Sequence, residues 1–146
     1  MTLVMKFGGT SVGSAQALRE TAELIVETQR AWGRVVVVAS GMGSKPVKVT
    51  DLLLDGAHSA AQGDGEMYRQ NAELLRQIHL QAIDGLLEPD GERQPMLADN
   101  GRFINRYEAL CQAVHVLGEL SPRALDAIGG MGEQMSVRIL AAYLRQ

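Results

Sequence analysis

Met5-Lys6-Phe7-Gly8-Gly9-Thr10-Ser11-Val12-Gly13 joins a short apolar strand, Leu3 to Phe7, to a helix-patterned segment that begins at about Ser14. In a parallel sheet the crevice for ligands lies outside the carboxyl ends of the strands, so Lys6 to Ser11 stand at that edge. Gly8 and Gly9 carry no Cβ, which lets backbone N–H groups close on a phosphate, and the following helix N-terminus adds positive potential. Alternation along the strand puts Leu3, Met5 and Phe7 on one face and Lys6 on the other. A charge there needs water, an anion or a partner. Because Lys6 precedes the glycines, the stretch is neither a Walker loop nor the G-x-G-x-x-G dinucleotide fingerprint. On local chemistry alone an ordinary glycine turn explains the pair equally well.

Outward from this loop, Leu18, Ala22, Ile25 and Trp32 recur at helical spacing between Ser14 and Trp32, with charged residues on the opposite side. Gly33 ends that helix. The run Val35-Val36-Val37-Val38-Ala39 then reads as a strand buried on both faces. Strand, helix, strand makes a parallel βαβ unit. Its two strands finish on one edge, which brings Ser40-Gly41-Met42-Gly43 beside Lys6-Phe7-Gly8-Gly9. A loop containing Pro46 follows, and Thr50-Asp51-Leu52-Leu53-Leu54 opens the next helix with Thr50 as its N-cap candidate.

The middle of the chain is a helical block. One segment runs from about Asp64 to Leu87 with Leu75, Ile78, Ala82 and Leu86 along a stripe, and another from about Met96 to Leu120 with Ile104, Tyr107, Cys111, Val114 and Leu117 or Gly118 on one face. Cys111 on that stripe reads as a small buried hydrophobe rather than a nucleophile. His58, His79 and His115 show no ligand spacing, and Glu66, Glu73 and Glu88 read as solvated helix faces. Ser121-Pro122 is a helix-start pair. Gly129, Gly130 and Gly132 predict a break, with a new helix starting near Gly132 and Glu133 in its first turn, where the helix dipole favours an acid.

At 146 residues the chain has the size of one domain. A hydrophobic content of 46% against 21% charged residues is ordinary for a soluble globular protein. The net charge of −3 argues against nucleic acid as a partner. No apolar run approaches the ~20 residues that span a bilayer, and Met1 leads directly into a strand without a signal-peptide pattern, so the expected location is cytoplasmic. A single cysteine excludes an intrachain disulfide or a cysteine-rich metal site.

The string Lys6-Phe7-Gly8-Gly9-Thr10-Ser11-Val12 resembles the opening signature of aspartate kinases, members of the amino acid kinase family. The resemblance implies an α/β fold in which a parallel sheet is sandwiched by helices. It implies that Lys6 contacts the transferring phosphoryl group and that the loop Lys6, Phe7, Gly8, Gly9, Thr10 and Ser11 lies against the nucleotide phosphates. Ser40 to Met42 and Val49 to Leu54 resemble the segment in which a threonine, here Thr50, touches the aspartate substrate beside Ser40, although Gly43 to Lys48 is longer than the common form. Gly132-Glu133-x-x-Ser136 resembles the segment whose glutamate binds the substrate α-amino group. A cationic ammonium suits such a carboxylate partner.

The implied activity is transfer of the γ-phosphoryl group of ATP, bound with Mg²⁺, to the side-chain carboxylate of L-aspartate, the first step towards lysine, threonine and methionine. A related kinase acting on another acid, or a half that binds aspartate or a partner chain without catalysis, are the alternatives. Only two strands are readable, and a two-stranded sheet is marginal alone. The final helix runs to Gln146 without a stop signal. The expectation is therefore residues 1–146 as the N-terminal part of a catalytic domain whose second half is missing here, with an open sheet edge that favours a homo-oligomer.

Overall fold

A computed structural model describes residues 1–44, 46–89 and 91–146. Strands β1 (Leu3–Phe7) and β2 (Val35–Ala39) pair in parallel, with Leu3 opposite Val35 and Phe7 opposite Ala39. A short 3-10 turn, Gly9–Val12, leads from β1 into α1 (Ala15–Trp32). Helix α1 begins where the Ser14 hydroxyl oxygen accepts the Ala17 N–H at 3.1 Å, and it buries Leu18, Thr21, Ala22 and Ile25. Trp32, expected on that stripe, is exposed. An 18-residue helix is about 27 Å long against about 17 Å for a five-residue strand, so the last turns of α1 overhang the sheet.

The valine run of β2 is not buried on both faces. Val36 and Val38 are 48% and 49% exposed and Val4 of β1 is 63% exposed, whereas Val37, Ala39, Met5 and Phe7 turn inward. Helices α1 and α6 (Met131–Leu144) pack on the inward face, and nothing among the described residues covers the other. Lys6 lies exposed on that bare face, as strand alternation requires.

Beyond β2 the chain forms a small antiparallel hairpin, β3 (Gly43–Ser44) with β4 (Val47–Lys48), where the sequence reads only as a loop. Helix α2 (Val49–Ala61) follows at once, and its N-cap is Lys48, not Thr50. The extended backbone of β4 hands over directly to the helix, and the Val49 N–H is satisfied by the Met42 carbonyl at 3.0 Å, so no side-chain cap is used. Thr50 sits in the first turn instead.

Helices α3 (Met67–Leu86) and α4 (Arg93–Leu117) pack on α2 to make the helical block. Asp64 starts α3 by accepting the N–H groups of Glu66 and Met67 at 2.9 and 3.2 Å. Helix α4 begins before Met96 because Pro95 is tolerated in a first turn, where its missing N–H would have no helical partner. Leu117, at the far end of α4, is exposed, while Ile104, Tyr107, Cys111 and Val114 form the buried face. Burial pushes the Cys111 thiol up to about 11, which keeps it protonated and unreactive. Ser121 caps α5 (Pro122–Gly129), accepting the Ala124 N–H at 3.2 Å, and Gly130 separates α5 from α6.

His79 lies buried on α3 with Nδ1 2.7 Å from the Leu75 carbonyl and with Nε2 unpartnered among the described residues. Burial lowers its pKa below the ordinary 6.5, outweighing the opposing bond to Leu75. A folded pKa below the unfolded one means that the unfolded chain takes up the proton first. Stability is therefore complete above the ordinary value of 6.5 and declines as pH falls through it towards the folded value. Chemical denaturation over this range should show a slope of at most about 1.4 kcal/mol per pH unit from this residue. His79→Leu should remove that part of the slope; an unchanged slope would assign it elsewhere.

At the carboxyl edge the Ser40 N–H donates to the Phe7 carbonyl at 3.0 Å, so the two loops leave the sheet side by side. A Cβ on Gly9 would lie 3.0 Å from the Gly43 carbonyl oxygen and 3.2 Å from that of Gly41, whereas one on Gly8 would meet nothing within 4 Å. Gly9→Ala should accordingly cost about 1–3 kcal/mol, the range for overpacking against backbone that cannot yield. Gly8→Ala should stay within about 0.5 kcal/mol, as substitutions in open space do. Urea unfolding of both variants reads the difference directly.

Candidate active site

The loop after β1 is open on one side and closed on the other. Ser11 donates its N–H to the Gly8 carbonyl at 3.0 Å, and its own carbonyl accepts the Thr21 hydroxyl at 2.7 Å, which pins the 3-10 turn to α1. Gly9 and Thr10 begin that turn, so their N–H groups have no acceptor within it. Thr10 and Ser11 are exposed, and Phe7 is buried beneath the loop. The space above Gly8 is free, and an anion could approach these donors there.

The loop after β2 meets two helices. A Cβ on Gly41 would lie 3.3 Å from the Thr50 hydroxyl oxygen and 3.3 Å from the Gly132 carbonyl carbon. A Cβ on Gly132 would lie 3.1 Å from a Val49 methyl and 3.6 Å from the Gly41 Cα. The backbone of Ser40 to Gly43, the first turn of α2 and the first turn of α6 thus touch at one point. A side chain at Gly41 would push the three apart.

Glu133 stands in that first turn of α6, partly exposed, next to the Gly132 contact. Three residues on, the fully buried Ser136 hydroxyl donates to the Ser40 carbonyl at 2.5 Å, with the Glu133 carbonyl a weaker acceptor at 3.2 Å. The sequence offers Glu133 and Ser136 as parts of one motif, but not this bond across the fold. Its only signal there is the three-residue spacing, which sets both residues on neighbouring parts of a helix.

The structure therefore gathers Gly8, Gly9, Ser40, Thr50 and Glu133 at the carboxyl edge of the sheet. Lys6 reaches that edge from the other face of β1. None of the ion pairs among the described residues uses Lys6 or Glu133. Lys6 is exposed and Glu133 partly exposed. Among the described residues no group of three His, Cys, Asp or Glu side chains gathers to hold a metal, and no helix is long and apolar enough to cross a membrane.

Over 143 residues the chain is 32% identical to the chloroplastic bifunctional aspartokinase/homoserine dehydrogenase 1 of Arabidopsis thaliana, covering 98% of this chain and 15% of that protein. It is 30% identical over 146 residues to the chloroplastic aspartokinase 1 of the same plant, covering 99% of this chain and 23% of the relative. Its backbone is similar to that of E. coli aspartokinase III solved in complex with aspartate and ADP, with a TM-score of 0.78 at 24% identity over 99% of this chain and 29% of that one. The chain thus spans between 15% and 29% of the length of these relatives. The sequence profile of the amino acid kinase family matches residues 1–146 throughout, and with the glycine loop, the parallel pair and the α6 first turn meeting at one edge, the chain belongs to that family.

Proposed function

We propose that this chain is the N-terminal part of an aspartate kinase catalytic unit, which transfers the γ-phosphoryl group of ATP to the side-chain carboxylate of L-aspartate. The observation that carries the reading is the meeting of the two strand-end glycine loops with the Thr50 hydroxyl and with the Gly132 backbone, next to which Glu133 stands, around Gly41. Aspartokinase relatives match almost the whole chain, and a solved relative was crystallised with aspartate and ADP.

A carboxylate oxygen of aspartate attacks the γ-phosphorus, the bond to the bridging oxygen of ADP breaks, and an acyl phosphate and ADP leave. The substrate is its own nucleophile, so the protein's work is alignment and charge stabilisation. Lys6 offsets negative charge on the moving phosphoryl group. The free N–H groups around Gly8, Gly9 and Thr10 hold the phosphates, while Ser11 contributes through its hydroxyl because its N–H is committed to Gly8. Thr50, beside Ser40, meets the aspartate carboxylate, and Glu133 meets the ammonium group. Mg²⁺ enters with the nucleotide. The remainder of the longer protein completes the nucleotide site, and the assembled enzyme is a homo-oligomer.

The reading is tested in the full-length protein by trapping the acyl phosphate with hydroxylamine. Aspartate should give the hydroxamate; formation from another acid alone would move the assignment to a related kinase. Lys6→Ala should lower kcat by about 10²–10³-fold with little change in the aspartate KM, the size of loss seen when one transition-state donor is removed. The reverse pattern would take Lys6 out of the chemistry. Glu133→Gln should instead raise the aspartate KM about ten- to a hundredfold, as expected for a lost hydrogen bond to a charged group.

A further inference from the structure

We propose that Ser136 is a positioning residue for the acceptor amino acid, acting through its bond to the Ser40 carbonyl. This rests on the reading of Thr50 and Glu133 as the acceptor's partners. The two groups stand on different helices, Thr50 in the first turn of α2 and Glu133 in the first turn of α6. Neither helix is bonded to the other through these residues. The two first turns pack on each other where Gly132 meets Val49, and both meet the loop Ser40 to Gly43.

On the α2 side, the loop is fixed by the Val49 N–H donating to the Met42 carbonyl at 3.0 Å and by the contact of Gly41 with Thr50. On the α6 side, van der Waals contacts of Gly132 with Gly41 and Val49 set how near the first turn comes, without a directional bond. The Ser136 hydroxyl supplies the direction. It is fully buried, it reaches 2.5 Å from the Ser40 carbonyl, and it is a single rotor whose one proton has that oxygen as its nearest acceptor. Ser40 is itself held to β1 by its N–H bond to Phe7 at 3.0 Å. A continuous path of hydrogen bonds therefore runs from β1 through Ser40 to α6, and Glu133 lies one helical turn before its end. Removing the hydroxyl loosens the first turn of α6 against the loop and leaves the Ser40 carbonyl short of its partner, while the later turns stay held by the Arg138–Asp99 and Arg145–Glu92 pairs.

The consequence is selective. The nucleotide loop after β1 is one step further from Ser136: it is tied to α1 through Thr21 and meets the β2 loop at Gly41 and Gly43, whereas Glu133 stands on α6 itself. Loss of the Ser136 bond should therefore weaken binding of the amino acid and spare the nucleotide.

The test uses the full-length protein, with dissociation constants for aspartate and for Mg-ATP measured by calorimetry beside thermal melts. Ser136→Ala should weaken aspartate binding about 5- to 30-fold and leave Mg-ATP binding within about twofold, the larger change being what loss of one buried hydrogen bond gives. Ser136→Cys, with its weaker donor, should fall between, and it carries the comparison should the alanine variant not fold. Ile139→Val, also fully buried on α6 but away from the loop, is the control: it should lower Tm without changing either constant. A fall in Tm alone for the Ser136 variants, or equal weakening of both ligands, overturns the proposal. Should the wild type bind a different acid, the aspartate reading fails, and the same comparison made with that acid still decides the role of Ser136. Binding of no acid overturns both.

Discussion

The approach of three segments around Gly41, two of them by their glycine backbone, is the constraint on which this structure turns. The β2 loop, the first turn of α2 and the first turn of α6 come within van der Waals distance there, and Gly9 presses on the same loop from the β1 side. Parallel pairing makes this possible, because both strands end on one edge and both loops leave it together. Small residues at those ends let the backbones meet, and the same lack of side chains leaves backbone donors open to a ligand. Packing and binding thus place the same demand on the sequence.

The helical block holds that point in place from behind. Inside it the Leu52 carbonyl accepts the Asn71 amide at 2.9 Å and faces the Tyr107 hydroxyl at 3.4 Å, so one acceptor ties α2 to both α3 and α4. Leu53, Leu75, Ile83 and Ile104 fill the space between them with no exposure. Helix α6 joins the same assembly: Arg145 forms a bidentate pair with Glu92 at 2.9 and 2.8 Å near the start of α4. Arg145 is exposed and Glu92 half-buried, so solvent screens this pair and it adds register more than stability. The long-range bonds therefore determine where the first turns of α2 and α6 sit, although none of them belongs to the crevice itself.

What could be read from the sequence follows the range of the interactions concerned. The strand and glycine loop at Leu3 to Gly13, the helix start near Ser14, the valine strand, the Ser121 cap and the break near Gly130 are set by neighbours within a few residues, and each stands where the sequence puts it. The exposed face of β2 was not legible, since a continuous valine run carries no mark of which side is covered. Thr50 looks like a cap because hydroxyl residues usually are, but α2 starts two residues earlier, directly after β4, with its first N–H, that of Val49, donated to the Met42 carbonyl. The candidate site residues could be listed from the loop and the motifs; the bond between Ser136 and Ser40, 96 positions apart, could not. Periodicity and capping rules contain no term for it.

The two faces of the sheet also explain how opposite charges can serve one crevice. Had Lys6 and Glu133 shared a face, an ammonium and a carboxylate within a few ångströms would attract each other and oppose any ligand that needed both. Strand alternation puts Lys6 on the face away from α6, while Glu133 lies on the helix packed against the other. In a phosphoryl-transfer reading the cation then meets the phosphate and the carboxylate meets the ammonium, with the acceptor lying between them across the strand ends. A ligand carrying both charges satisfies the two groups at once, and neither has to be released from the other before it binds. In that reading the single-residue parity of β1, set by Leu3, Met5 and Phe7 turning inward, matters to the proposed chemistry as much as to the core.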